Sequence, residues 1–178
     1  MADRKYLIVV DMQNDFIDGS LGTPEAQAMV EAAEKRILAC RQDGYQIIAT
    51  MDTHTPDYME TSEGKHLPVL HCIRGTHGWE IADRIRKALG DCILVEKPTF
   101  GSVRLPEVIR ETLDEGDTLT IELLGLCTDI CVVSNALLLK ASFPEANFTV
   151  HADCCAGVTP EKHLAALETM RSCQIEVI

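Results

Sequence analysis

The chain has 178 residues, 46% of them hydrophobic and 25% charged, the composition of an ordinary globular protein. That length can bury a full core, so one domain over residues 1–178 is expected. The formal net charge of −12 argues against nucleic acid as a partner and against an anionic membrane surface, since both need basic groups. No apolar run approaches the roughly 20 residues that cross a bilayer. Met1-Ala2-Asp3-Arg4-Lys5 leads straight into a strand without a secretory apolar segment, so a cytoplasmic location is expected. The eight cysteines include no Cys-x-x-Cys pair and read as reduced thiols, with Cys40, Cys92 and Cys173 buried in apolar patterns.

Tyr6-Leu7-Ile8-Val9-Val10 is a continuous apolar, β-branched run, as a buried parallel strand requires. Pro24 opens a helix with an apolar stripe at Met29, Val30, Ala33, Ile37 and Leu38, ending near Gly44. Gln46 to Thr50 is a second strand. Asp52 to Gly78 lacks a clear period and is too long for an ordinary connection, which marks it as functional. Ile81 to Leu89 is helical with Gly90 as its stop, Cys92 to Val95 is a third strand, and Pro106 to Leu113 is a helix. Gly116-Asp117 turns into the strand Thr118 to Leu124, followed by a helix from Asp129 to Lys140. A strand near Phe148 to His151, a helix from Pro160 to Ser172 and a strand Ile175 to Ile178 complete the chain. Strict alternation predicts an α/β fold: a three-layer α/β/α doubly wound sheet of about six mainly parallel strands, since parallel strands need right-handed crossovers.

Ligands of such sheets bind at the carboxyl ends of the strands. The first strand runs into Asp11-Met12-Gln13-Asn14-Asp15-Phe16, a carboxylate where a nucleotide-binding sheet has a glycine-rich turn, so no nucleotide cofactor is expected. The second ends in Met51-Asp52-Thr53-His54, the third in Val95-Glu96-Lys97, and the fourth in Gly125-Leu126-Cys127-Thr128-Asp129-Ile130-Cys131. Cys131 falls in the first turn of a helix, where the dipole favours a thiolate. Alternatively, it is a small buried apolar residue. Asp11, Lys97 and Cys131 share one rim and can form a triad without a histidine base. Asp52 and His54, two apart on an extended chain, face one way and can share a metal. His71 is a plausible third ligand, and His66 and His77 are also available. An Asp beside a loop His is also the common metal-free case, and Phe16 and Phe100 can be plain core.

These segments, with His71-Cys72-Ile73-Arg74-Gly75-Thr76 and the later Asp153 and His163–Met170 helix, resemble the isochorismatase-like cysteine hydrolases, nicotinamidase branch, over nearly the whole length. The resemblance implies an isochorismatase-like, Rossmann-like topology and Asp11, Lys97 and Cys131 as catalytic triad. It also implies Asp52, His54 and His71 as ligands of a divalent metal, usually zinc, and a cis bond between Leu126 and Cys127. That bond would aim the Cys127 N–H, with that of Cys131, at an oxyanion. The implied reaction is hydrolysis of a small amide, nicotinamide to nicotinate plus ammonia, through a Cys131 thioester. Phe16 and Phe100 would flank the ring, and the protein would form a homo-oligomer.

The chain also departs from the pattern. Aromatic residues are only 4% of it, Lys65-His66-Leu67-Pro68-Val69-Leu70 lacks the ring-lining aromatic residue of many members, and Ile130 stands where some have Tyr. Spacing leaves Glu63 open as a ligand. Competing readings are a hydrolase of carbamoyl or other small amides, and a silent binding domain.

Overall fold

The computed structural model of the protein describes residues 2–178. Six parallel strands form one sheet: β1 (Asp3–Val10), β2 (Gln46–Asp52), β3 (Ile93–Lys97), β4 (Thr118–Leu126), β5 (Asn147–Ala156) and β6 (Glu176–Val177). Their order is β3-β2-β1-β4-β5-β6. The chain therefore winds outward from β1 in one direction, returns, and winds outward from β4 in the other. Right-handed crossovers place α2 (Pro24–Gln42) and α4 (Asp83–Leu89) on one face. They place α5 (Arg104–Arg110), α6 (Val133–Ser142) and α7 (Pro160–Ser172) on the opposite face. Two short helices, α1 (Asn14–Ile17) and α3 (Ser62–His66), lie in the connections after β1 and β2. The predicted α/β/α doubly wound sheet is what the chain forms, and among the described residues no helix is long and apolar enough to cross a membrane.

Local chemistry explains the elements. Residues Tyr6 to Val10 are all buried, as a strand covered on both faces demands. Thr23 caps α2 by accepting from the Ala26 N–H at 3.0 Å, and Pro24 follows at the first helical position. The buried stripe of α2 is Ala26, Met29, Ala33, Ile37 and Cys40. It is rotated from the predicted one: Ala26 and Cys40 are buried, and Leu38 is exposed. Strands β2, β3 and β4 each run two residues further than predicted, through Asp52, Lys97 and Leu126, because the ladders continue past the apolar runs. Cys92 and Cys173 are only half-buried, unlike Cys40, and all eight cysteines are free thiols.

The winding reverses between the paired strands β1 and β4, and the crevice for ligands opens at their carboxyl ends. Val10 pairs with Gly125 across it. A Cβ on Gly125 would sit 2.1 Å from the Val10 carbonyl oxygen, and the residue's φ of 127° is open only to glycine, so no side chain fits at this crossing.

Candidate active site

The ends of β1, β2 and β3 and the turn after β4 each deliver a polar group to the crevice. Asp11 leaves β1 with a left-handed φ of 48°, which Asp tolerates better than most residues, and its N–H donates to the Thr50 carbonyl at 3.1 Å. The Thr50 hydroxyl donates to Asp11 Oδ1 at 2.7 Å. Lys97 Nζ lies 2.6 Å from Asp11 Oδ2 and 3.7 Å from Asp52 Oδ1. Nζ also donates to Cys131 Sγ at 3.3 Å. Apart from that ion-pair contact, Asp11 Oδ2 takes no aligned hydrogen bond although it is fully buried. Cys131 is held by a wide π-helical turn, Thr128–Val132, that precedes α6. The Leu126–Cys127 peptide entering this turn is cis.

Beside this group, ligand atoms of Asp52, His54, Glu63 and His71 all lie within 4.8 Å of one another. Asp52 Oδ2 is 3.0 Å from His54 Nε2 and 3.4 Å from His71 Nε2, and Glu63 Oε1 is 3.7 Å from both nitrogens. His71 Nδ1–H donates to the Val69 carbonyl at 2.8 Å, which leaves the Nε2 lone pair facing the cluster. Two imidazoles and two carboxylates are a donor set for a divalent ion, and packing them together is costly without a cation. The structure thus brings Asp52 and His54 together as their spacing suggested, and adds His71 as the third group among the candidate histidines and Glu63, left open by spacing, from α3, whereas His77 is not in the cluster and His66 only lines the cavity.

Both groups open into one cavity of about 860 Å³. Phe16 and Phe100 stand on its wall. Phe16 is buried against His71, ring centroids 5.6 Å apart, and Phe100 is 46% exposed at the mouth. With that geometry in view, residues 5–178 match the isochorismatase domain.

The chain belongs to the isochorismatase family.

A nicotinamidase/pyrazinamidase of Mycobacterium tuberculosis is 26% identical over 98% of both chains. A pyrazinamidase of Pyrococcus horikoshii, solved in complex with zinc, superposes with a TM-score of 0.81 at 25% identity over 98% of both chains. An N-carbamoylsarcosine amidase of Thermoplasma acidophilum reaches 0.78 at 31% identity, over 98% of this chain and 95% of that one.

The electrostatics of this isochorismatase-family site correct one expectation. Burial pushes the Cys131 thiol well above its ordinary range, neighbouring Asp11 adds to that, and Lys97 only partly opposes it. Burial and Asp11 therefore favour the thiol over the thiolate expected from the helix start. Burial also raises Asp11, more than Lys97 lowers it. For Lys97 burial works against the charge, but the carboxylates of Asp11 and Asp52 outweigh it and hold the ammonium charged. Burial raises Asp52 too, yet His54, His71 and Lys97 outweigh it and keep the carboxylate ionised.

Sequence reasoning missed several supports. Asn135, buried in α6, donates to the Cys131 carbonyl at 2.8 Å and accepts from the Ser102 N–H at 2.9 Å. Tyr58 packs its ring 4.6 Å from His54 and 4.9 Å from His71. The available signal for Asn135 was an amide inside the apolar run Val132-Val133-Ser134-Asn135-Ala136-Leu137. Tyr58 gave none, because its segment has no period.

Proposed function

We propose that this protein is a cysteine amidohydrolase of the nicotinamidase kind, cleaving nicotinamide to nicotinate and ammonia. The observation that carries the reading is one ammonium, Lys97, in contact with both a buried carboxylate and a buried thiol, beside four convergent metal-ligating atoms in the same cavity. The M. tuberculosis and P. horikoshii relatives supply the substrate class by name.

The arrangement supports a role for each residue. Asp11 has an oxygen with no aligned hydrogen bond and a raised proton affinity, so it can take the Cys131 proton and later return it to departing ammonia. Lys97 stabilises whichever of the two is anionic. Cys131 Sγ attacks the amide carbon and forms a thioester, which water hydrolyses with Asp11 as base. The N–H groups of Cys127 and Cys131 stabilise the oxyanion, each worth roughly 10²–10³ in rate. Asp52, His54, Glu63 and His71 would hold zinc, which suits two imidazoles with carboxylates. Zinc there would serve as a Lewis acid that orients the substrate's ring nitrogen. Phe16 and Phe100 would flank the ring.

A second reading keeps the triad but takes a carbamoyl or other small amide, favoured by the 31% identity to the carbamoylsarcosine amidase. Ammonia release from nicotinamide, run on metal-analysed protein beside Cys131→Ala, tests the first. Release by the wild type alone, lost on chelation and restored by zinc, supports it. No release from nicotinamide with release from a carbamoyl amide transfers the assignment to the second, and equal release by both proteins sinks the Cys131 mechanism.

A further inference from the structure

The Asp11–Phe16 stretch carries more chemistry than a triad uses. Asp11 faces Lys97, while Gln13 and Asp15 reach the other cluster through its backbone. Gln13 is fully buried, and its amide closes a two-bond ring with the peptide groups of Asp52. Gln13 Nε2 donates to the Asp52 carbonyl at 2.8 Å, and the Asp52 N–H donates to Oε1 at 2.7 Å. The same Nε2 donates to the Trp79 carbonyl at 2.8 Å. Asp15 Oδ2 accepts the Cys72 N–H at 2.8 Å, the residue after His71. Cys72 has a left-handed φ of 47°, and its carbonyl accepts the His54 N–H at 2.9 Å. A non-glycine residue holds that conformation only where its surroundings fix it.

The space for the Asp15 carboxylate is itself built. A Cβ on Gly78 would fall 2.1 Å from Oδ2, and one on Gly19 would fall 2.5 Å from Oδ1. Two glycines from separate segments therefore leave room for one side chain, whose hydrogen bond ends on the His71–Cys72 turn.

We propose that Gln13 and Asp15 are positioning residues for the metal centre, which they hold in register with the triad because the turn that carries them also presents Asp11. This rests on the reading of Asp52, His54, Glu63 and His71 as that centre. Asp52 has a short side chain and the His71 ring is pinned through Nδ1 to the Val69 carbonyl, so a shift of their backbone carries the ligand atoms with it. Outer partners that orient ligands typically govern 10–100-fold in metal affinity.

The test is zinc affinity of the metal-stripped full chain, measured by competition with a chromophoric chelator. Gln13→Leu, Asp15→Ala and Gly78→Ala are each expected to bind zinc about 10–100-fold more weakly. Asp15→Asn, whose amide oxygen can still accept the Cys72 N–H, is expected to stay within about threefold of wild type. Hydrogen exchange at the Cys72 amide should accelerate in Asp15→Ala and Gly78→Ala but not in Asp15→Asn. Thermal melting shows that each variant is folded at the assay temperature; should Asp15→Ala fail to fold, Gly78→Ala against Asp15→Asn decides. Wild-type affinity in the folded variants overturns the positioning role alone. A wild type that binds zinc no better than His54→Ala overturns the metal centre and this role with it.

Discussion

Two buried carboxylates sit on neighbouring strands of this sheet and meet cations in different ways. Glu122, in the middle of β4, accepts from Tyr45 Oη at 2.7 Å, lies 2.7 Å from His151 Nε2, and is paired with the Arg36 guanidinium. Cys40 Sγ adds a weak contact at 3.6 Å. Asp11, at the end of β1, has Thr50 on one oxygen and only the Lys97 ion-pair contact on the other. Burial works to raise both. At Glu122 the donors outweigh it and hold the carboxyl at about 2, whereas at Asp11 burial wins. Saturating a buried carboxylate with donors makes an inert clamp between α2, β4 and β5. Leaving one oxygen short makes a group that can accept a proton, and beside a protonated thiol that is a reactive arrangement.

The largest expected effects break the reactive side of this contrast. Cys131→Ala and Asp11→Asn are each expected to lower kcat/KM for the amide substrate on the order of 10⁴-fold. Thermal melting should change little in Cys131→Ala but fall in Asp11→Asn, which leaves the buried Lys97 ammonium without that anion. The double variant should be no worse than the worse single one, because groups acting as a unit do not add. Steady-state ammonia release on all three checks this. An Asp11→Asn enzyme within tenfold of wild type would remove the carboxylate from the proton path.

How far the sequence exposes these two clusters depends on where their partners lie. Asp11, Asp52 and Lys97 are legible because each ends or follows a strand, and parallel strands bring their carboxyl ends to one rim. Cys131 is legible for the same reason, but its protonation is not. The helix dipole can be read from one segment, whereas desolvation comes from every element that covers the sulfur. Glu63 stays open as a ligand in the sequence because α3 lies in a stretch without a period, and only tertiary contact carries it to His54 and His71. Glu122 lies inside an apolar β-run, and its partners Arg36, Tyr45 and His151 stand 86, 77 and 29 residues away. No local pattern encodes such a network.

The next effect in size concerns stability on the inert side. Glu122→Gln leaves Arg36 and His151 without their anion in a site where Glu122 is only 7% exposed. Breaking a buried pair from one side costs about 3 kcal/mol, roughly 6–12 °C in Tm for a chain of this size. Activity per folded molecule should not change, because none of these residues reaches the cavity that holds Cys131. A fall in kcat at temperatures where the variant is fully folded would show that the two clusters are coupled after all.

The smallest effect sharpens the same contrast through pH. A Glu carboxyl ordinarily titrates near 4.5, and in the folded protein His151, Arg36 and Tyr45 hold Glu122 at about 2. A depressed folded-state value means that the unfolded chain takes up the proton first. The contribution of Glu122 to stability is therefore complete above about pH 5, shrinks as pH falls, and is gone below about 2. Other carboxylates titrate in the same range, but they do so equally in wild type and in Glu122→Gln, so the difference between the two proteins isolates this one. Urea midpoints measured in steps from pH 5 to pH 2 should show the wild-type advantage closing steadily. A gap that stays constant over that range would mean that the loss in Glu122→Gln is one of packing, and that the donors around Glu122 do not stabilise its charge.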